Sequence, residues 1–161
     1  PAQNGVNVLC GGPVARVRAV SDRYRAEWRL SHPQGGDEPL IGVNRYILVA
    51  DTDQEALELG RAAWPVFYRH FMKLWHKHGT LPVNAKLPPD FDTLVEAGQA
   101  VAGSPSTVRE GLLRQVRDGG LNYLIGNFTF GGLAPADTEA SVRLYAAEVM
   151  PALREISPVL A

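Results

Sequence analysis

The sequence predicts an α/β fold in which parallel strands are covered by helices. Apolar, β-branched segments alternate along the chain with segments whose apolar residues recur at helical spacing. Leu121–Phe130 is apolar on both faces, which is typical of a parallel strand buried between two layers. Three or four strands are too few to close an eight-stranded barrel. The sheet is therefore either open or the C-terminal part of a larger barrel.

The clearest helix precedes this strand. Ser104 can cap a helix whose first residue is Pro105, where the missing N–H costs nothing. Thr107 and Glu110 form an alternative capping box, so the start is open by one turn. Gly119 suits the left-handed position just past the helix end. Apolar residues recur on one face: Val108, Leu112 and Val116.

The first part of the chain repeats this unit. Gln3–Gly5 ends a helix, and Asn7–Cys10 is a short strand. Gly11 and Gly12 form a turn that leads to a helix with Pro13 near its first position. The residues that recur at helical spacing are Val14, Val17, Ser21, Tyr24 and Trp28.

A second unit begins with the strand Leu40–Asp51, whose core is β-branched and aromatic. The capping box from Thr52 to Glu55 starts a long helix that could run to about His78. Pro65 lies inside this pattern and is expected to kink or divide the helix.

The remaining segments are shorter. Residues 79–98, rich in proline at their start, are predicted to be an excursion outside the core, with a short helix over Phe91–Ala97. Gln99–Ala102 is an extended piece. After the last strand a helix starts at Ala134–Asp137, and Pro151 bends or restarts it.

Composition limits the possible functions. The 161 residues carry a net charge of -1 and are 45% hydrophobic, which suits one domain over residues 1–161. This balance gives no basic field for nucleic acid or for a membrane surface. No apolar run approaches the roughly 20 residues of a membrane span. Cys10 is the only cysteine, so a cytoplasmic setting is expected. A start at Pro1 suggests that the chain begins inside a longer gene product.

Five segments, in order, resemble the C-terminal third of the bacterial-luciferase-like flavin monooxygenases. Each segment alone is a helix cap or a buried strand, and the specificity comes from their order. They are Ala2–Leu9, Val49–Ala56, Gly103-Ser-Pro-Ser-Thr-Val, Asn122-Tyr-Leu-Ile-Gly-Asn-Phe-Thr-Phe-Gly-Gly, and Ala147-Glu-Val-Met-Pro-Ala-Leu153.

The resemblance implies the C-terminal portion of a (β/α)8 TIM barrel, usually dimeric, with parallel strands and covering helices. It implies FMN, or alternatively the deazaflavin F420, at the carboxyl ends of the strands. The chemistry would be monooxygenation of a small organic substrate, with reduced flavin supplied by a reductase, or hydride transfer. Barrel strands before Gln3, and the loop that grips the flavin phosphate, fall outside this chain. The isolated chain is therefore expected to be inactive, and a non-catalytic half-barrel module is the alternative.

Cys10, Gly11 and Gly12 are the candidate cofactor-binding residues. In a barrel the carboxyl ends of the strands face the active site. In the luciferase-like family that the sequence resembles, the matching strand end lies beside the isoalloxazine ring of the flavin. Glycines there would let the ring approach the backbone. The alternative is a turn that needs glycine for its geometry alone. Cys10 is not predicted to be a nucleophile, because no base lies near it in sequence.

Asn44 and Arg45 interrupt an apolar strand. Because successive side chains point to opposite faces, one of the two should point into the barrel. A lumen-facing Arg45 could hold an anionic substrate or a flavin carbonyl. The alternative places Arg45 at the exposed start of the strand or pairs it with a helix carboxylate, since an unpaired buried charge is costly.

The end of the last strand supplies the other candidates for the substrate pocket. Asn127, Phe128, Thr129 and Phe130 could give apolar walls and two polar groups. They are equally consistent with core aromatic residues followed by a turn. Tyr68 matches a position near the flavin in the resemblance. No residue is predicted to be a catalytic acid or base.

Two further motifs have simple structural interpretations. Gly103–Thr107 could bind phosphate at a helix N-terminus, but helix capping is favoured. His70, His76 and His78 lack the i, i+4 spacing of a zinc pair, and His near a helix C-terminus is expected from the dipole. No metal site is predicted.

Overall fold

The computed structural model describes residues 1–80 and 87–156. These residues form strands β1 (Val8–Cys10), β2 (Ile41–Val49), β3 (Ala100–Gly103) and β4 (Tyr123–Asn127). A 3-10 turn over Ala2–Asn4 precedes β1. The helices are α1 (Val14–Ser31), α2 (Asp53–Phe71), α3 (Lys73–Lys77), α4 (Phe91–Glu96), α5 (Pro105–Gly119), α6 (Pro135–Leu144) and α7 (Met150–Glu155), with a π-helical segment, Tyr145–Val149, between the last two.

All pairings in the sheet are parallel, as the sequence predicts. β2 is central and pairs with β4 along one side, from Gly42 opposite Tyr123 to Tyr46 opposite Asn127. On its other side β2 pairs first with β1 and then, from Tyr46 onward, with β3. Ala100–Ala102 of the predicted extended piece, Gln99–Ala102, therefore belong to the sheet as part of strand β3. The described residues form an open sheet, mixed with helices, and not a closed barrel.

One face of the sheet is covered by helices α1, α5 and α7. The odd-numbered residues of β2 point to this face, where they pack with apolar residues of all three helices. The predicted helical stripes are confirmed here. The fully buried residues of the core on this face include Val17 of α1, Ile41, Val43 and Ile47 of β2, and Val108 and Leu112 of α5.

The opposite face is covered only near the carboxyl ends of the strands. Helices α2 and α4 pack there against the even-numbered residues of β2 and β3. Phe91 and Leu94 of α4 are buried in this cluster. The prediction that residues 79–98 lie outside the core is therefore wrong for α4, whose apolar face needs a partner to exclude water. Residues 81–86 lie outside the described residues.

The remaining part of this second face is open. Leu9 is 51% exposed, Tyr123 38% and Ile125 36%, and Asn44 is also exposed. The prediction that β4 is covered on both sides is wrong for the described chain. Gly42 lies on the same face but is buried under the Tyr123 ring, so that a Cβ there would lie 2.8 Å from the ring. We call Leu9, Asn44, Tyr123 and Ile125 the open face.

A side-chain cap marks the starts of α2, α4 and α5. The Thr52 side chain accepts from the Glu55 N–H at 3.1 Å, so the predicted capping box is confirmed at its first bond. α2 continues through Pro65, at the cost of one backbone hydrogen bond, and divides at Met72. The left-handed residue after α5 is Gly120, with φ 60°, one residue later than predicted.

None of the described helices combines the length and the apolar composition that a membrane crossing requires.

Candidate functional site

The predicted site residues are drawn to one edge of the sheet by the parallel topology. β1 ends at Cys10 and β4 ends at Asn127, so both carboxyl ends lie at the same edge. β4 is shorter than the predicted strand, and Phe128 and Phe130 lie beyond it. This edge is the place where parallel α/β sheets bind ligands. It is therefore the candidate functional site.

The Gly11–Gly12 turn leaves open space beside the backbone. A Cβ on Gly11 would meet no heavy atom within 4 Å, and Gly11 is not among the glycines with positive φ. Gly12 has φ 96°, a backbone conformation that favours glycine. A flat ring could therefore rest against Gly11, while Gly12 is required by the turn itself. The geometric reason for glycine therefore applies to Gly12, and the cofactor-binding role of the turn stays a prediction.

Cys10 does not share this open space. Its side chain belongs to the helix-covered core, because Cys10 lies opposite Val43 in the register. Burial raises the pKa of the thiol, with the nearby Arg16 and Arg45 acting in the opposite sense. The side chain is thus a neutral thiol at neutral pH, and any role of Cys10 beside a cofactor would be through its backbone.

Arg45 points to the helix-covered face, where it is 1% exposed. Its Nε donates to Gln115 Oε1 of α5 at 2.6 Å, and Nη1 and Nη2 donate to the carbonyls of Asn44 and Gly12. A substrate-holding role does not fit this placement. The alternative, an exposed arginine or a helix carboxylate partner, is also wrong, because the helix supplies a neutral amide. Burial lowers the pKa of Arg45 to about 10, and Cys10 partly opposes the shift.

Asn44, Tyr46 and Asn127 are polar residues on the second face of the sheet: Asn44 is exposed, and Tyr46 packs at the edge of the cluster that α2 and α4 cover. Asn127 lies opposite Tyr46, and Asn44 precedes Tyr46 by two residues on the same face. Burial raises the pKa of the Tyr46 hydroxyl, which therefore stays protonated at neutral pH. Sequence reasoning missed Tyr46, although its i, i+2 relation to Asn44 would have indicated it.

The two predicted phenylalanines separate. The Phe128 ring packs against Tyr145 at 5.0 Å, on the helix-covered side, so it does not fit a substrate-facing role. Phe130 is buried against Tyr46 and Trp64 on the opposite side. They diverge because both follow the end of β4, where strand alternation no longer applies.

A cleft of about 510 Å³ lies beside Phe130, between α2 and the start of α6. Of the four residues predicted to line a substrate pocket, Thr129 and Phe130 line this cleft, whereas Asn127 and Phe128 do not. Their role toward a substrate stays a prediction. The other principal lining residues of the cleft are Phe67, Leu133, Thr138 and Glu139.

The Gly103–Thr107 turn is occupied by a carboxylate of the protein itself. Ser104 caps α5, accepting from the Thr107 N–H at 3.4 Å. Asp53 Oδ1 accepts from the Ser104 N–H at 2.6 Å, and Oδ2 accepts from the Thr107 hydroxyl at 3.0 Å. An anion would meet Asp53 there, so the arrangement favours capping over phosphate binding. Asp53 also joins the starts of α2 and α5, a contact that the sequence did not indicate.

We expect the Asp53→Asn substitution to destabilise the protein by about 1 kcal/mol or less at pH 7, since the carboxylate is exposed. Hydrogen bonds from Ser104 and Thr107 lower the pKa of Asp53 below its ordinary 3.8. The stabilisation is therefore present above pH 3.8 and is lost as the pH falls through the lower folded-state pKa. Urea denaturation of both proteins at several pH values measures this. A difference that persists unchanged at the lowest pH would contradict it.

The histidines and Tyr68 form no recognisable site. His76 lies with its ring 6.2 Å from that of Tyr68. Over residues 1–80 and 87–156, no group of three or more His, Cys, Asp or Glu side chains is placed to hold a metal ion. Tyr68 is half-buried at the edge of the cluster that covers β2 and β3.

No protein-family model matches the sequence. "Uncharacterized protein y4wF" of Sinorhizobium fredii (strain NBRC 101917 / NGR234) is 35% identical over 132 residues, a match that covers 82% of this chain and 38% of that protein. The chain thus spans well under half the length of this relative.

Solved structures with a similar fold include flavin enzymes. The oxygenating constituent of 3,6-diketocamphane monooxygenase from the CAM plasmid of Pseudomonas putida, a type II Baeyer-Villiger monooxygenase in complex with FMN, matches with TM-score 0.66, 21% identity, and 93% of this chain and 44% of that one covered. Monooxygenase RslO1 from Streptomyces bottropensis matches with TM-score 0.65, 18% identity, and 93% and 43% covered.

Riboflavin lyase RcaE, with modified FMN and riboflavin, matches with TM-score 0.53, 15% identity, and 96% and 40% covered. At these identities the likeness shows the fold alone. The fold is a parallel α/β sheet that corresponds to part of a monooxygenase chain.

Proposed function

We propose that this chain is the C-terminal portion of a luciferase-like flavin-dependent monooxygenase, with a (β/α)8 barrel completed by sequence outside it. One observation supports this most. The backbone follows that of a monooxygenase solved with FMN over 93% of this chain, and it places the open Gly11 turn at the carboxyl edge of the sheet. In barrel enzymes this edge carries the active site.

The open face is the proposed lumen of that barrel. Leu9, Tyr123 and Ile125 are apolar and exposed, although helices pack against the other face of the same strands. Water against such a surface is unfavourable, and parallel sheets are normally covered on both faces. Side chains from further barrel strands would cover it. Because this apolar surface is exposed, we also expect the isolated chain to associate with other chains, and we propose a homodimer for the complete protein.

The flavin would lie against the Gly11–Gly12 turn, where the structure leaves room for a ring. When bound, it would supply the redox chemistry of the reaction. The protein itself would exclude water from the site and orient the flavin and the substrate. The protonated Tyr46 hydroxyl and the amide of Asn127 lie on the proposed lumen side, and the cleft beside Phe130 would take a small organic substrate.

We expect Gly11→Val, in the full-length protein that contains this segment, to weaken FMN binding about tenfold or more, since the side chain fills the space that the ring requires. The fold should be unaffected, because φ at Gly11 is not in the left-handed region. FMN fluorescence quenching measures the affinity. Ala15→Val, at an exposed position of α1, is the control. Equal affinity in wild type and Gly11→Val would exclude this turn as the flavin site.

The proposal as a whole is tested by titrating the full-length protein with FMN and, separately, with F420. Binding of FMN, with oxygen consumption when the flavin is kept reduced by a separate reductase, supports a monooxygenase. Binding of F420 in its place supports hydride transfer. Binding of neither cofactor would overturn the proposal and favour a non-catalytic module.

A further inference from the structure

Arg45 is a buried cation with neutral partners. Its three hydrogen-bond acceptors are an amide oxygen and two carbonyl oxygens, from Gln115, Asn44 and Gly12. The ion pairs formed within residues 1–80 and 87–156 do not include it. A buried guanidinium is usually paired with a carboxylate, since burying an unpaired charge is costly. Arg45 therefore keeps its positive charge without a counter-charge from its hydrogen-bond partners.

The cation lies at a discontinuity in the sheet. On one side of β2, β1 ends opposite Val43 and β3 begins opposite Tyr46. Arg45 sits between these two positions and donates to Gly12, in the turn after β1. Its partner Gln115 donates to the Gly98 carbonyl, in the loop before β3, at 3.1 Å. Arg45 and Gln115 thus connect the turn after β1 to the loop before β3, on the helix-covered side of the sheet.

The neighbouring thiol does not neutralise the charge. Cys10 is the group whose ionisation would interact with Arg45, and burial raises the pKa of this thiol. Cys10 is therefore uncharged at neutral pH. The Gly11–Gly12 turn consequently has an uncompensated positive charge directly behind it, held by a hydrogen bond of 3.1 Å from Arg45 Nη2 to the Gly12 carbonyl.

We propose that Arg45 is a positioning residue that also tunes the cofactor: it fixes the Gly11–Gly12 turn, and its buried charge favours the anionic, reduced form of the flavin. This inference rests on the proposed function. Reduction of FMN by two electrons with uptake of one proton leaves a negative charge on the ring system at neutral pH. A buried positive charge is screened far less than one in water. Because only the reduced ring system is negatively charged, such a charge stabilises the reduced form more than the oxidised one.

The test measures the midpoint potential of FMN bound to the full-length protein that contains this segment. We expect Arg45→Met to weaken binding of reduced FMN relative to oxidised FMN by about tenfold, which lowers the midpoint potential by about 30 mV for a two-electron couple. Gln115→Glu should lower the potential in the same direction, because the new carboxylate neutralises Arg45 without removing it. Arg61→Met, at an exposed arginine of α2, should leave the potential unchanged. Circular dichroism checks that each variant is folded.

The outcomes separate the two proposals. A wild-type protein that binds no FMN would overturn the proposed function, and this inference with it. Normal FMN binding with an unchanged potential in Gln115→Glu would overturn this inference alone, even if Arg45→Met failed to fold. A lowered potential in both variants, with the Arg61→Met control unchanged, would support it, since a purely structural arginine would not shift a redox equilibrium.

Discussion

Gly131→Ala should destabilise the protein by about 2–4 kcal/mol, because the added methyl group has nowhere to go. A Cβ at Gly131 would lie 1.9 Å from the carbonyl oxygen of Ala63 and 2.6 Å from its carbonyl carbon. These are backbone atoms of α2, which cannot rotate away as a side chain could. Gly131 also has φ 65°, a conformation that costs further energy for alanine. Urea denaturation of the two proteins measures the effect.

The neighbouring glycine provides a matched control. At Gly132 the nearest atom to an added Cβ is Val66 Cγ2, at 3.9 Å, which is an ordinary contact. Gly132→Ala should therefore change the free energy of unfolding by less than about 1 kcal/mol. Similar losses in both variants would contradict the tight approach of this turn to α2. The Gly131 turn also forms part of the cleft beside Phe130, so the variant should disturb that cleft.

Trp64→Ala should cost about 3–5 kcal/mol, the range found for removing a buried aromatic side chain. Trp64 is 0% exposed, and its indole N–H donates to the Pro88 carbonyl at 2.9 Å. Its ring packs against Tyr46 at 4.9 Å and Phe130 at 5.9 Å, so it holds α2 over the carboxyl edge of the sheet. Denaturant unfolding, followed by near-ultraviolet circular dichroism, measures both stability and aromatic packing.

A second tryptophan serves as the comparison. Trp75 of α3 is 39% exposed, so Trp75→Ala should lose less than about 1 kcal/mol and should leave the near-ultraviolet spectrum of the aromatic cluster largely intact. If the two substitutions destabilised the protein equally, Trp64 would not be the centre of the cluster that covers β2 and β3.

The secondary structure was predictable wherever its cause is local. Thr52 and Ser104 cap the helices that the sequence assigned to them, because a cap needs only a side chain and the next turn of backbone. The parallel direction of the strands followed from their helical connections. The shift from Gly119 to Gly120 at the end of α5 is small for the same reason. The predictions failed where the position of a side chain depends on a segment distant in the sequence.

Asn44 and Arg45 show that limit. The sequence by itself determined that their side chains point to opposite faces, since the pleat of a strand has a period of two. It did not determine which face belongs to the helices, because that depends on where α5 packs. Only the tertiary structure brought Gln115 to Arg45 and left Asn44 on the open face.

The site divides in the same way. The sequence determined that glycines end β1 and that aromatic residues follow β4, both from residue type and order. The tertiary structure decided that Phe128 and Phe130 pack on opposite sides and that Asp53 occupies the start of α5. These contacts join residues far apart in the chain, so their energies depend on packing that no local pattern specifies.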